Sequence, residues 1–354
     1  MLLYSGLYDS NVLFFMYYFS IFNEFLVDFI YFCTNFRLND MKEQLESLNS
    51  VTINFGEGGM MIVNIILAFV MFGVALGIKP HRLKDIIKNP KSIITGVLLQ
   101  WFALPAITFL IAVILNPLIT PMIALGMILV ASCPGGNISN FLTSLSKGNT
   151  VLSVSMTAIT TSMAPIITPF NFFFWGSLYS QFISIRNDIP RLIIPFFPML
   201  EQILLLLGLP IVLGILFAHY FPNATKKIIK PSQGLSVLLF VGMVVVSFAQ
   251  NFQIFIDNIF YVFFIVMIHN AAALSTGYWG GRFAKLPYED IKSMTVETGI
   301  QNSGLGLILL FNPAIFPPEI WHGHYGGMLF ITAWWGIWHI ISGLTVAFYF
   351  RRHN

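Results

Sequence analysis

Long apolar runs alternate with short polar connections along almost the whole chain. Ten of them, at 11–33, 59–78, 92–115, 119–147, 150–175, 191–220, 234–250, 256–281, 288–312 and 325–350, are long enough to cross about 30 Å of hydrocarbon as helices. Two runs are interrupted by polar, glycine-rich stretches. Cys133-Pro134-Gly135-Gly136-Asn137-Ile138-Ser139-Asn140 breaks the fourth run, and Glu297-Thr298-Gly299-Ile300-Gln301-Asn302-Ser303-Gly304 breaks the ninth. Each break falls near the middle of its run, which places it near the bilayer centre. Five is an odd number, so two successive five-span units enter the membrane with opposite orientation, and in each unit the fourth span carries the break. This is the pattern of an inverted repeat with two crossing, discontinuous helices. It rests on span order and break position, because residue identity between the halves is faint.

The expected fold is an all-α polytopic membrane protein of ten transmembrane helices, or nine if the first run is not one. Residues 59–175 form the first repeat and 191–350 the second, followed by a short tail, 351–354. Residues 1–40 are either a first helix or an apolar extension. Run 11–33 contains Glu24 and Asp28, and Met41 opens an alternative start ahead of a polar linker, 41–58. Of the 18 Lys and Arg, all but Arg37, Lys42, Arg186 and Arg191 fall on one side of this topology. That bias predicts a cytoplasmic C-terminus in the cell (inner) membrane.

Composition narrows the function classes. A chain of 354 residues that is 56% hydrophobic and only 9% charged has too little charge for a soluble surface. The net charge of +3 lies in short loops, which gives no nucleic-acid footprint. Cys33 and Cys133 make neither a disulfide framework nor a metal signature. No phosphate-binding loop is present, and His269 and His339 lack the partners of a catalytic motif, so neither a nucleotide-driven pump nor an intramembrane enzyme is expected. The opening residues lack the features of an export signal.

The breaks carry the candidate chemistry. Non-helical backbone at mid-depth survives only when buried in protein or lining a wet cavity. Pro134 lacks an N–H, and Gly135 and Gly136 tolerate unusual dihedrals, so the helix is expected to open there. Opening frees carbonyl oxygens, which suit a cation, and helix N-termini, which suit an anion. Ser139 and Asn140 follow the first break, and Ser153 and Thr157 share a face of the next helix. Glu297 and Gln301 stand four residues apart across the second break, and Gln100 lies within the third span. Hydroxyl, amide, carbonyl and one carboxylate oxygen suit a hard cation such as Na⁺. Taken singly, the hydroxyls also suit back-bonding to the preceding turn, and Gln100 an interhelical hydrogen bond. An intramembrane Glu297 is a functional-site residue by default.

These motifs resemble the bile acid:sodium symporter family. The likeness is carried by residues 133–140, Leu-Ser-Val-Ser-Met-Thr at 152–157 and residues 297–304, and is extended by Gln100 with Pro105 and by Trp338-His339 with Ser342-Gly343. It spans about 59–350. The resemblance implies a panel domain and a core domain, the core holding the two crossing helices. It implies one sodium site from Ser139, Asn140, Ser153, Thr157 and Glu297. A second would use Gln100, Glu297, Gln301 and the main-chain carbonyls of Thr298 and Ile300. Asn137, Asn302 and His339 match positions lining the family's substrate cavity, with Pro134, Gly135, Gly136 and Gly299 at the helix breaks.

The expected function is import of an organic anion, bile-acid-like or a smaller carboxylate, coupled to two Na⁺ by alternating access. No organic cofactor, nucleic-acid partner or obligatory protein partner is expected. A proton-coupled or exporting relative of the same fold, and a non-transporting membrane receptor, are the alternatives.

Overall fold

The computed structural model describes residues 42, 45–50, 56–77, 90–136, 138–187, 194, 196–249, 252–312, 315–316 and 325–352. The first expected span, 11–33, lies outside the described residues, as do Asn137, Lys79–Lys88 and the end of the tail.

Among the described residues the protein is helical. In chain order the helices are α1 (Gly56–Ala75), α2 (Pro90–Leu115), α3 (Pro121–Ser132), α4 (Ile138–Leu145), α5 (Thr150–Asn187) and α6, which runs on from Phe196–Ile203 to Leu209–Tyr220. They continue with α7 (Pro222–Ala249), α8 (Phe252–Phe283), α9 (Tyr288–Gly299), α10 (Ser303–Leu310) and α11 (Gly326–Arg352). Among the described residues, five stretches, Pro90–Leu115, Thr150–Ile185, Leu200–Tyr220, Asp257–Phe283 and Gly326–Arg352, are long and apolar enough to cross a membrane.

Helix α2 shows the logic of a lipid-facing element. Ile94, Leu98, Phe102, Leu110 and Ile114 are exposed along one side, whereas Gln100, Leu104, Thr108 and Ala112 are buried. The outer side is thus apolar, and the polar Gln100 and Thr108 turn inward with Leu104 and Ala112, because the solvent here is hydrocarbon. Helix α3 is different: every residue from Met122 to Ser132 is buried. A helix that is apolar all round belongs in the protein interior. Thr120 starts it, accepting the Ile123 N–H on its hydroxyl, with Pro121 at the first helical position.

The helices pack in two sets. Helix α1 lies against α6 and α7, so closely that a Cβ at Gly214 would come 2.8 Å from the Phe72 carbonyl. Helices α2 to α5 and α8 to α11 surround the two breaks, with α9 packed on α8 and α11 on α3. Small residues set these distances. A Cβ at Gly277 of α8 would lie 2.4 Å from the Met294 carbonyl of α9, and one at Gly126 of α3 would lie 2.8 Å from the Met328 Cα of α11.

Three helices outrun the apolar runs that announce them. Helix α5 continues past 175 to Asn187 with Pro165 and Pro169 inside it, because Phe172, Tyr179 and Ile183 are still buried in the core. Helix α7 begins at Pro222 rather than 234, so Lys226, Lys227 and Lys230 sit on its first turns instead of in a loop. Helix α8 gains a turn at its start, from Phe252. Part of the stretch expected as a polar linker is docked: Leu45 and Leu48 have no exposure and belong to the main core, and Asn258 of α8 donates to the Ser47 hydroxyl at 3.2 Å.

Proline shapes α2 near its centre. The Leu104 N–H bonds to the Leu99 carbonyl, five residues back, which makes Leu99–Ala103 a π-helical turn around Gln100. Pro105 has no N–H to offer the Trp101 carbonyl. Asn171 of α5 supplies the missing donor, its amide lying 2.8 Å from that oxygen.

Candidate cation site at the crossing

Both expected breaks are present, and they pair with each other. Helix α3 ends at Ser132, Cys133 turns extended (φ −73°, ψ 158°), and α4 begins at Ile138. Helix α9 ends at Gly299, Ile300 leaves helical geometry (φ −115°, ψ 81°), and α10 begins at Ser303. Between them Gly135 and Gln301 form an antiparallel bridge. The Gly136 N–H donates to the Ile300 carbonyl at 2.7 Å, and the Asn302 N–H donates to the Pro134 carbonyl at 2.8 Å. Each break therefore satisfies backbone groups that the other exposes, which is what allows open chain in the interior of a membrane protein.

Gly135 permits the close approach. A Cβ there would lie 2.8 Å from Glu297 Oε2 and 3.0 Å from Gln100 Nε2. Gly299 is equally constrained, since its Cβ would come 2.3 Å from Leu274 Cδ2.

Glu297 has no exposed surface. Its Oε1 accepts from Ser139 Oγ at 2.5 Å, from Ser153 Oγ, and from Thr157 Oγ1 at 3.2 Å; Thr157 also lies 3.1 Å from Oε2. Three hydroxyls, from α4 and α5, thus converge on a carboxylate from α9. Asn140 Oδ1 is 2.9 Å from Ser153 Oγ and 3.4 Å from Thr157 Oγ1, and the Ser153 carbonyl is 3.1 Å from Thr157 Oγ1. The cluster is rich in acceptors. Three hydroxyl hydrogens are shared among both oxygens of Glu297 and the amide oxygen of Asn140. Hydroxyl, amide and carboxylate oxygens gathered in this way suit a small hard cation, which draws on their remaining lone pairs.

A second group adjoins it. Gln100 Nε2 donates to the Glu297 main-chain carbonyl, and Gln301 Nε2 donates to the Thr298 carbonyl, each at 2.8 Å. Both side chains are 1% exposed, and the amide oxygen of each is buried without a hydrogen-bond partner. The Thr298 hydroxyl of the same break is unmet too; a buried polar group left unmet costs about 1–3 kcal/mol, so three around one crossing call for an explanation. The Ile300 carbonyl holds the Gly136 N–H and retains a second lone pair.

The structure thus brings together Ser139, Asn140, Ser153, Thr157 and Glu297, and gathers Gln100, Gln301, Thr298 and Ile300 around the second break. Asn302 is elsewhere employed: its side chain caps α10 by accepting the Leu305 N–H at 3.0 Å. His339 is buried on α11, one turn beyond Gly336, where a Cβ would lie 2.9 Å from the Ser303 hydroxyl. Neither hydrogen-bonds to the carboxylate cluster. Asn137 lies outside the described residues.

Two further residues touch the second break. Asn270 of α8 donates to the Gly299 carbonyl at 2.7 Å and accepts from the Ser342 hydroxyl of α11 at 2.5 Å. Asn270 was legible as a lone amide in an apolar run, by the same signal that marks Gln100.

Residues 64–258 match the sodium bile acid symporter family. The chain belongs to this family. It is 31% identical over 285 residues to an uncharacterized sodium-dependent transporter of Bacillus subtilis, covering 77% of this chain and 82% of that one. A probable chloroplastic sodium/metabolite cotransporter of Oryza sativa is 30% identical over 257 residues, with 72% and 58% of the two chains covered. The ileal sodium/bile acid cotransporter of Mus musculus is 28% identical over 246 residues, with 69% and 67% covered. The family consists of membrane transporters, not enzymes, in keeping with the apolar helices described above.

Proposed function

We propose that the protein is a sodium-coupled symporter that imports an organic anion by alternating access. The surplus of buried oxygen acceptors at the crossing carries this reading. One Na⁺ would take the hydroxyls of Ser139, Ser153 and Thr157, the Asn140 amide oxygen and Glu297. A second would take the orphaned oxygens of Gln100 and Gln301, Glu297, and the carbonyls of Thr298 and Ile300. Glu297 is shared, so binding of either ion offsets the cost of burying its charge.

The anion docks beside the ions, near the starts of α4 and α10 at Asn137 and Asn302, with His339 lining the cavity. Helix N-termini favour negative charge there. The architecture in this reading is ten helices in two inverted repeats with a cytoplasmic C-terminus, α1, α6 and α7 belonging to a panel and the helices around the breaks to a core. Two cations entering with one monovalent anion carry net positive charge inward, so transport responds to membrane potential. The substrate class is an organic carboxylate, bile-acid-like or smaller.

The test is uptake of radiolabelled taurocholate and of small carboxylates into proteoliposomes. An inward Na⁺ gradient should drive accumulation, and choline or a proton gradient should not. Accumulation driven by protons at equal Na⁺ on both sides would overturn the sodium reading.

A further inference from the structure

Asn270 is fully buried and uses both ends of its amide. The orientation is fixed by its partners. The Gly299 carbonyl can only accept, so it must face Nδ2, and Oδ1 then takes the hydrogen of Ser342 Oγ. Ser342 Oγ also lies 3.2 Å from the His339 carbonyl, one turn back on α11. Helix α11 presses on the same break, since a Cβ at Gly343 would come 2.7 Å from Ile300 Cδ1.

The peptide held in this way is the one that can least hold itself. Gly299 has no Cβ to restrict its dihedrals, and its carbonyl is among those a helix leaves unsatisfied at its C-terminus. Its neighbours, the carbonyls of Thr298 and Ile300, instead meet Gln301 Nε2 and the Gly136 N–H at the crossing. Because adjacent peptide planes share a Cα, a swing of the Gly299 unit would redirect both neighbours.

We propose that Asn270 and Ser342 are positioning residues: by anchoring the Gly299 carbonyl they aim those of Thr298 and Ile300 at the second sodium ion. They also tie that ion to α11, the helix carrying His339. A movement of α11 on anion binding is then felt at the ion through two hydrogen bonds, and the ion acts back on α11 to the same extent. This inference rests on the two-sodium reading above.

The test uses the full chain in detergent, with NaCl titrated against choline chloride at constant ionic strength and thermal unfolding as the readout. Wild-type protein should be stabilised by Na⁺ with a defined midpoint. Ser342→Ala should raise that midpoint about fivefold or more, the lower end of typical coupling between sites. Ser342→Thr, which keeps a hydroxyl, should restore it. Asn270→Leu, which removes both the donor to Gly299 and the acceptor for Ser342, should raise the midpoint as well. If Asn270→Leu fails to fold, Ser342→Ala alone decides the outcome. A Ser342→Ala protein with a lower unfolding temperature at every Na⁺ concentration but an unchanged midpoint would reduce the pair to packing and overturn the proposal. If wild-type protein shows no Na⁺ response, the two-sodium reading fails and this inference with it. If the wild type responds and Ser342→Ala responds identically, only the positioning role fails.

Discussion

Gln100 donates its amide hydrogen to the main-chain carbonyl of Glu297 at 2.8 Å and keeps its own oxygen buried without a donor. The contact joins the π-helical turn of α2 to the second break, 197 residues away in sequence. Gln301 repeats the arrangement within the break, donating to the Thr298 carbonyl and leaving its own oxygen unmet. Two amides thus each spend a donor on a carbonyl of the same break and leave an acceptor unmet, which is the donor set a hard cation uses.

Gln301→Ala should therefore act on sodium rather than on folding. It removes one unmet acceptor, which relieves a cost, and one donor to Thr298, which imposes one, so stability without Na⁺ should change little. The Na⁺ midpoint for thermal stabilisation should rise about tenfold or more, since even outer partners of a metal site are worth that much. Unchanged Na⁺ dependence in a folded Gln301→Ala protein would remove this side chain from the site.

Glu297→Gln keeps the shape of the side chain and removes its charge. A carboxylate buried among hydroxyls is costly when no cation is present, so the variant should unfold in Na⁺-free buffer at the same temperature as wild type or higher. Stabilisation by NaCl and Na⁺-driven uptake should both be lost. Full sodium-dependent uptake by this variant would contradict the shared role of the carboxylate.

Gly135→Ala places a methyl group 2.8 Å from Glu297 Oε2 and 3.0 Å from Gln100 Nε2, so both side chains must shift to make room. Overpacking of this kind costs about 1–3 kcal/mol and should displace the carboxylate from its hydroxyls. Gly234 of α7 is the control, because a Cβ there meets nothing within 4 Å. Gly234→Ala should be neutral or stabilising by up to about 1 kcal/mol in a helix. Thermal unfolding of the two variants, each with and without Na⁺, checks the contrast. A loss of Na⁺ response in Gly234→Ala equal to that in Gly135→Ala would show that the effect is not local.

Much of the site was legible in the sequence because membrane chemistry makes polar residues conspicuous. Glu297, Gln301 and Gln100 stand out in apolar runs, and Pro134-Gly135-Gly136 has a direct backbone consequence. What could not be read was partnership. Nothing in the pattern tells that Gly136 bonds to Ile300 or Asn302 to Pro134, because pairing between segments so far apart depends on how eight helices pack. Asn270 was missed although it carries the same signal as Gln100. It sits beside His269, whose ring bonds to Thr108 and packs at a tilt against Trp335, and that residue reads as ordinary core packing. Helix ends were blurred for a different reason. The run at 234–250 begins just after Pro231, yet α7 passes through that proline from Pro222, and burial of Tyr179 and Ile183 carries α5 past the expected end at 175.

The same proline chemistry gives the last prediction. Pro105 deprives the Trp101 carbonyl of its helical donor, and Asn171, 3% exposed, replaces it from α5 at 2.8 Å. Asn171→Leu should leave that carbonyl orphaned at a cost of about 1–3 kcal/mol. Pro105→Ala returns an N–H to the helix at the position that faces Trp101, so the carbonyl no longer depends on Asn171. In the double variant the Asn171→Leu penalty should shrink by about 1 kcal/mol, a coupling within the range for residues sharing a partner. Unfolding of the four proteins in detergent measures the cycle. Strict additivity would mean that the Asn171 contact is incidental and that the π-helical turn around Gln100 is held by α2 alone.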